Sequence, residues 1–473
     1  MTTHRIMAVC AAVAIAAMAM FGCKDTAPSG PTAGLGSLKA TQFVSVGNSI
    51  TAGYQSNGWF ESGQKYSFPN LMSQQLNMSG ASLSFVQPLW SDPGTPISGT
   101  TIPSRYLILS MAGPIIGPDV HAMAGSPENL SYAAPYNNLA IPGALLYDFM
   151  NATDQNTCAS AVFAQVPNPL FSTTLRGLGT QFQQMRALHP TLVTFWLGNN
   201  DVLGYATSGG ATTSTPTLLF SGLYSVAMDS LRAAVGSSAT IVVANIPDVT
   251  SIPFFTTIPS QGLVLTSTQA AQLNAATSNA FGFVAGVNGF LAYTGVGTTG
   301  SVKKLTASDY VLLTCPQDSL AKAGWGSLKP IPGQYVLDAD EVTFARSQVA
   351  AYNATISALA ASHNAILVDI NSLLAQINTT GYTPPGSSLK LTSAYVSGGV
   401  FSLDGVHPTP KGQGVIANAF LTAINAKTGS SIPYIDIDGL PGIPAPLSKY
   451  TIGGKNVPYF PPDAFSDAQM LLW

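Results

Sequence analysis

The sequence predicts an α/β protein with a parallel sheet covered by helices on both faces. Two observations carry this. Short, nearly all-apolar strand patterns alternate along the chain with segments of helical spacing, as a sheet buried on both faces requires. The residues capable of chemistry fall just after those strands, where open parallel sheets place their sites.

Taken in order, Phe43–Val46 reads as the first buried strand and Phe68–Leu76 as a helix. Leu83–Val86 reads as a second strand. Helical spacing over Thr180–Leu188 leads at once into the strand pattern Thr191–Trp196, and Leu218–Val235 then reads as a helix before the strand Ala239–Ala244. Glu341–His363 is helical and runs into Ala365–Ile370. The last helix, Pro410–Asn425, has Thr409 to cap it, proline in its first turn, and Val415, Ile416, Ala419, Phe420, Ala423 and Ile424 on one face. Residues 87–135 and 251–338 are rich in Pro, Gly, Ser and Thr. Structureless loops of that length are improbable in a compact domain, so both are expected to be insertions packed around the strand ends.

Charged residues are only 8% of the chain, against about a quarter in ordinary globular proteins. With a formal net charge of −3 and no basic run, the electrostatic footprint of a nucleic-acid binder is missing. The first residues read as an export signal: Arg5, an apolar run over 6–21, then Gly22-Cys23. That ending resembles a bacterial lipobox, with Met20 and Phe21 departing from its usual residues. The expectation is a signal peptide over 1–22, a lipid anchor on Cys23, a flexible tether over 23–38 and a domain over 39–428. A Pro-rich extension over 429–473 is expected to pack on that domain. The protein is thus expected in the bacterial cell envelope, membrane-bound through the anchor, with Lys24 compatible with the outer membrane. No later apolar stretch reaches the length of a spanning helix. Export would permit a disulfide between Cys158 and Cys315, weighed against two buried thiols.

Three short patterns carry chemistry. Gly47-Asn48-Ser49-Ile50 follows a strand and can hold a serine hydroxyl in a tight turn. Asp404-Gly405-Val406-His407 sets an aspartate three residues before a histidine, a spacing that lets the carboxylate orient the imidazole as a base. His121, two residues after Asp119, is the weaker competitor. Gly198-Asn199-Asn200-Asp201 closes another strand, and an Asn carboxamide there could donate to a developing oxyanion. Each pattern alone is more often a turn or a cap.

In this order, and with Asn138-Leu139-Ala140-Ile141-Pro142-Gly143 between the first and the third, the blocks resemble the SGNH (GDSL-like) hydrolases over residues 41–426. The resemblance implies a flavodoxin-like three-layer α/β/α fold and a serine esterase. Ser49 would be the nucleophile, His407 the base and Asp404 its orienting acid. The N–H groups of Ser49 and Gly143 and the side chain of Asn200 would form the oxyanion hole. Neither a metal nor an organic cofactor is implied. The family's usual Gly-Asp-Ser-Leu reads Gly-Asn-Ser-Ile here, which leaves the triad complete but changes the charge beside the nucleophile. The expected substrate is a lipid or short-chain carboxylic ester. A carbohydrate acetyl ester is the alternative, kept open by Trp59, Trp90 and Trp325. A third reading is a non-catalytic surface lipoprotein that binds an acyl or glycan ligand.

Overall fold

The computed structural model describes residues 33–92, 94–95 and 124–443, and the backbone of 107–110, 115–118, 450–452 and 455–457. The export signal, Cys23 and the competitor His121 lie outside the described residues.

Strand β1 (Phe43–Gly47) leads into the one-turn helix α1 (Ser49–Ala52), and α2 (Phe68–Met78) follows. Helix α3 (Gln181–Ala187) starts on a capping box in which Thr180 and Gln183 satisfy each other's backbone N–H. Then come β2 (Leu192–Trp196), α4 (Asn200–Thr207), α5 (Thr217–Val235) and β3 (Thr240–Ala244). Helix α6 (Ala339–Ser362), β4 (Ile366–Val368), α7 (Ile370–Thr379) and α8 (Pro410–Thr428) complete the frame. The four strands pair in parallel in the order β1-β2-β3-β4, with Phe43 opposite Leu192 and Leu192 opposite Thr240. The fold is the expected α/β sheet.

Period-two alternation along strands buried on both faces divides their side chains between two cores. Val44, Val46, Val193, Phe195, Ile241 and Val243 face α3, α5 and α6. Phe43, Trp196, Val242 and Ala244 face α2 and α8, where Phe68 stacks on Phe420 with ring centroids 4.7 Å apart. Thr217–Val235 is apolar and long enough, by composition, to cross a membrane. It is amphipathic instead: it buries Phe220, Tyr224 and Leu231, and Phe220 stacks on Tyr352 of α6 at 3.8 Å.

One predicted strand is absent. Leu83–Val86 forms no ladder, because residues 137–141 occupy the position beside β1. Leu139 N–H donates to Ser45 O and Ile141 N–H to Gly47 O, while the Val86 N–H is taken by the side chain of Asn137. A run of apolar residues does not say which of two candidates reaches a sheet edge. The other predicted elements are present, with ends moved by a few residues.

Both insertions carry structure. Residues 251–338 fold into short antiparallel pairs around their own apolar cluster, including Ile258, Phe290, Val311 and Ile331. Residues 87–135 include the hairpin Leu107–Ser110 with Ile115–Pro118. The end of the expected tether belongs to the domain: Leu38 is buried, and Ser37 N–H donates to Thr428 O at the end of α8. After α8 the chain turns back over it, burying Ile432, Ile435 and Ile437 while Asn418 and Asn425 accept its N–H groups.

The Phe68–Phe420 stack joins the two helices of one layer. Phe420→Ala is expected to lower stability by about 3–5 kcal/mol in urea denaturation. A loss below about 1 kcal/mol would show that α8 is not held through this contact.

Candidate active site

β1 ends at Gly47, where a Cβ would come within 2.1 Å of Thr51 Oγ1, so only glycine lets α1 turn this tightly off the strand. Asn48 caps α1 by accepting Ile50 N–H at 3.3 Å, and Ser49 follows as the first helical residue. The cap leaves the Asn48 Nδ2 buried without a partner among the described residues. A buried donor left unpaired costs about 1–3 kcal/mol.

At the far end of the chain, Thr409 caps α8 and Pro410 opens it, so the preceding loop is delivered at a fixed angle onto α1. His407 Nε2 lies 2.9 Å from Ser49 Oγ, and its Nδ1 lies 2.9 Å from Asp404 Oδ2. The edge of the Tyr54 ring contacts the imidazole at 4.8 Å. Ser49, Asp404 and His407 are thus brought together as the sequence implied. The arrangement allows the imidazole to take the serine proton while the carboxylate stabilises the cation that forms.

Asp404 is nearly dry, yet it stays ionised because its oxygens are fully engaged. Oδ1 accepts Val406 N–H, His407 N–H and Ser402 Oγ–H, and Oδ2 accepts Asn57 N–H besides the imidazole. Burial pushes its pKa up, but the His407 charge and the hydrogen bonds from His407 and Asn57 outweigh that and hold it below the ordinary carboxyl value. Asn57 reaches it from the two-residue turn between Gln55 and Gly58, where Ser56 and Asn57 both have left-handed backbone (φ 49° and 59°). The Ser-Asn-Gly run marks this turn in sequence, but nothing local says that it faces residue 404.

Gly143 has left-handed backbone (φ 85°), and its N–H meets no acceptor among the described residues. Asn200 opens α4, and its Nδ2 donates to Ala144 O at 2.9 Å, which leaves its second amide hydrogen available. These groups and the Ser49 N–H at the start of α1 fit an oxyanion hole. A nearly all-apolar cavity of about 80 Å³ lies close by, with none of Ser49, Asp404 and His407 in its wall. Ile50, Val406 and Pro408, chain neighbours of Ser49 and His407, line it together with Trp196 and Leu203. Asn199 also lines it, and both side-chain polar atoms of Asn199 lack partners among the described residues.

The structure also decides between readings that the sequence left open. Cys158 and Cys315 are unpaired thiols in separate clusters, one in the main core and one inside the 251–338 insertion. Burial raises the Cys315 thiol far above its ordinary range. Trp59 is wholly inside, with its indole N–H on Ala52 O, and Trp90 packs against it, so neither offers a sugar platform. Trp325 packs on Tyr335 within the insertion. Among the described residues no group of three or more His, Cys, Asp or Glu side chains gathers as a metal site.

A family model described as GDSL-like Lipase/Acylhydrolase matches residues 43–420. No curated protein matches the sequence. Similar solved structures include a GDSL-like lipase candidate from Parabacteroides merdae, 11% identical, covering 82% of this chain and 97% of its own, with a TM-score of 0.33. A second is LAE5, an alpha/beta hydrolase enzyme from the metagenome of Lake Arreo, 12% identical, covering 82% and 96%, with a TM-score of 0.32. At TM-scores this low the likeness is too loose to transfer any property.

Two outcomes test this geometry. Asp404→Asn should fold and lose about 10³–10⁴-fold in kcat, because the amide no longer fixes the imidazole tautomer. The depressed pKa of Asp404 means that its stabilising contribution is present above the ordinary carboxyl range and is lost as pH falls through the lower folded value. Asp201 has the opposite sign: burial raises it from 3.8 to about 6, so the native state holds its proton longer and stability falls as pH rises through that window. Relative to wild type, Asp201→Asn should gain stability steadily between those pH values in chemical denaturation. A constant difference would refute the assignment.

Proposed function

We propose, since the chain belongs to the GDSL-like lipase/acylhydrolase family and is thereby a hydrolase acting on esters, that Ser49, His407 and Asp404 cleave carboxylic esters of short apolar acyl chains. The observation that carries this reading is the unbroken series of 2.9 Å contacts from Ser49 to His407 to Asp404 beside an apolar cavity.

In this reading Ser49 Oγ bonds to the ester carbonyl carbon while His407 Nε2 takes its proton. The negative oxygen rests against the N–H groups of Ser49 and Gly143 and the Asn200 amide, each such donor being worth about 3 kcal/mol. The C–O bond to the alcohol then breaks and the imidazolium returns the proton to the leaving alkoxide. Water adds to the acyl-enzyme by the same route and releases the carboxylic acid. Asp404 remains charged throughout.

The cavity supports the choice of substrate. At about 80 Å³ it is small and almost wholly apolar, which supports a short acyl chain. Its walls provide little to hold a sugar. With Trp59 and Trp90 internal, the carbohydrate ester is the weaker reading.

We also propose that the protein is exported and held at the cell envelope through Cys23, on the strength of Arg5, the apolar run and Gly22-Cys23. Cys23→Ala should move the protein from the membrane to the soluble fraction of the producing bacterium; unchanged membrane association would refute the anchor.

The soluble protein should hydrolyse p-nitrophenyl butyrate faster than palmitate, and Ser49→Ala should abolish both. Residual activity in Ser49→Ala would remove it as the nucleophile. Val400→Phe, which places a ring in the cavity, should shift preference from butyrate towards acetate. An unchanged profile would mean that the acyl chain lies elsewhere.

A further inference from the structure

Asp201 completes the Gly198–Asp201 motif, yet the proposed mechanism assigns it no task. It is buried, as is Asp148, and no ion pair reaches either carboxylate among the described residues. Burial raises Asp148 to about 7, and the nearby charge of Asp201 contributes to that rise. Keeping two unpaired carboxylates in a dry interior is costly, and the acceptors they provide show where that cost is offset.

Asp201 Oδ2 accepts the N–H of Leu146 at 2.9 Å, and its Oδ1 accepts Thr215 Oγ1–H at 2.8 Å. Asp148 Oδ2 accepts the N–H of Leu145 at 2.8 Å, and its Oδ1 accepts Ala159 N–H at 2.7 Å. Two consecutive N–H groups, immediately after Gly143 and Ala144, thus point at two different buried carboxylates. The same loop is held by its carbonyls: Asn168 Nδ2 donates to Pro142 O and Asn200 Nδ2 donates to Ala144 O, both at 2.9 Å. Gly143 N–H stands between these ties and is left free.

We propose that Asp148 and Asp201 are positioning residues for the oxyanion hole, fixing the 142–146 loop so that Gly143 N–H and the Asn200 side chain converge on one point. The inference rests on the reading of Ser49, Gly143 and Asn200 as that hole. Asp201 is the more direct of the two, because it follows Asn200 on α4. One helix start therefore carries both a donor to the oxyanion and the clamp that registers the other donor against it. Hydrogen bonds to a charged acceptor are shorter and stronger than neutral ones, which suits a loop that must hold its place when charge develops.

The two sites differ in what they tolerate. An amide in place of Asp201 can accept Leu146 N–H through its oxygen and donate to Thr215 Oγ1. An amide in place of Asp148 must turn an NH₂ towards either Leu145 N–H or Ala159 N–H.

The test is steady-state hydrolysis of p-nitrophenyl butyrate by the full chain, with folding of each variant checked by circular dichroism. Asp201→Ala should lower kcat about 30- to 100-fold while KM changes little, and Asp201→Asn should restore kcat to within a few-fold. Combined with Asn200→Ala, Asp201→Ala should cost much less than it does alone, since both act on one hole. Should Asp201→Ala not fold, Thr215→Val takes its place, with a several-fold loss of kcat at constant KM. Undiminished kcat in Asp201→Ala or in that substitute, an effect confined to KM, or full additivity with Asn200→Ala would overturn the proposal. Ser49→Ala and Asn200→Ala separate the two levels: if either is fully active, the catalytic reading itself fails. If both are crippled while Asp201→Ala is not, only the positioning role fails.

Discussion

A single negative charge kept away from water organises this site. Asp404 is buried, and a buried carboxylate persists only if its lone pairs are occupied. It accepts five hydrogen bonds, from Asn57, Ser402, Val406 and twice from His407. Those donors come from two distant parts of the chain, so satisfying the charge pins the loop before α8 against the turn after α1. The placement of His407 Nε2 on Ser49 Oγ follows from that pinning. Tyr54, which lies between nucleophile and turn, packs its ring on the same imidazole.

The parallel sheet makes such convergence possible. Its strands run in one direction, so Ser49, Gly143 and Asn200 leave it at the same edge. The 251–338 insertion reinforces the edge: Phe254 N–H donates to Gly405 O within the Asp404–His407 loop. Sequence far from the chemistry thereby stiffens it. The apolar cavity lies where α8, α7, α4 and the loop after β3 meet.

Polar satisfaction has been traded differently at neighbouring positions. Asp404 is over-supplied with donors and stays below the ordinary carboxyl range, whereas Asp148 and Asp201 have fewer and are raised by burial. Among the described residues, Asn48 and Asn199 keep unpaired amide atoms next in the chain to Ser49 and Asn200.

The sequence alone determined what depends on neighbours a few residues apart. Apolar runs marked β1 to β4, Thr409 marked the start of α8, and the order of four short blocks singled out Ser49, Gly143, Asn200, Asp404 and His407 as candidates. Those signals survive because hydrogen bonding in helices and caps, and the alternation of a strand, are local. The tertiary structure alone decided which segment lies beside β1, that residues 137–141 take the place expected for Leu83–Val86, and that Cys158 and Cys315 stand in different clusters. It alone brought Asn57 to Asp404, and Asp148 and Asp201 to the 142–146 loop. Each of these is a pairing between residues far apart in the chain, selected by the packing of whole elements, and no local pattern records which distant partner a buried donor or acceptor will find.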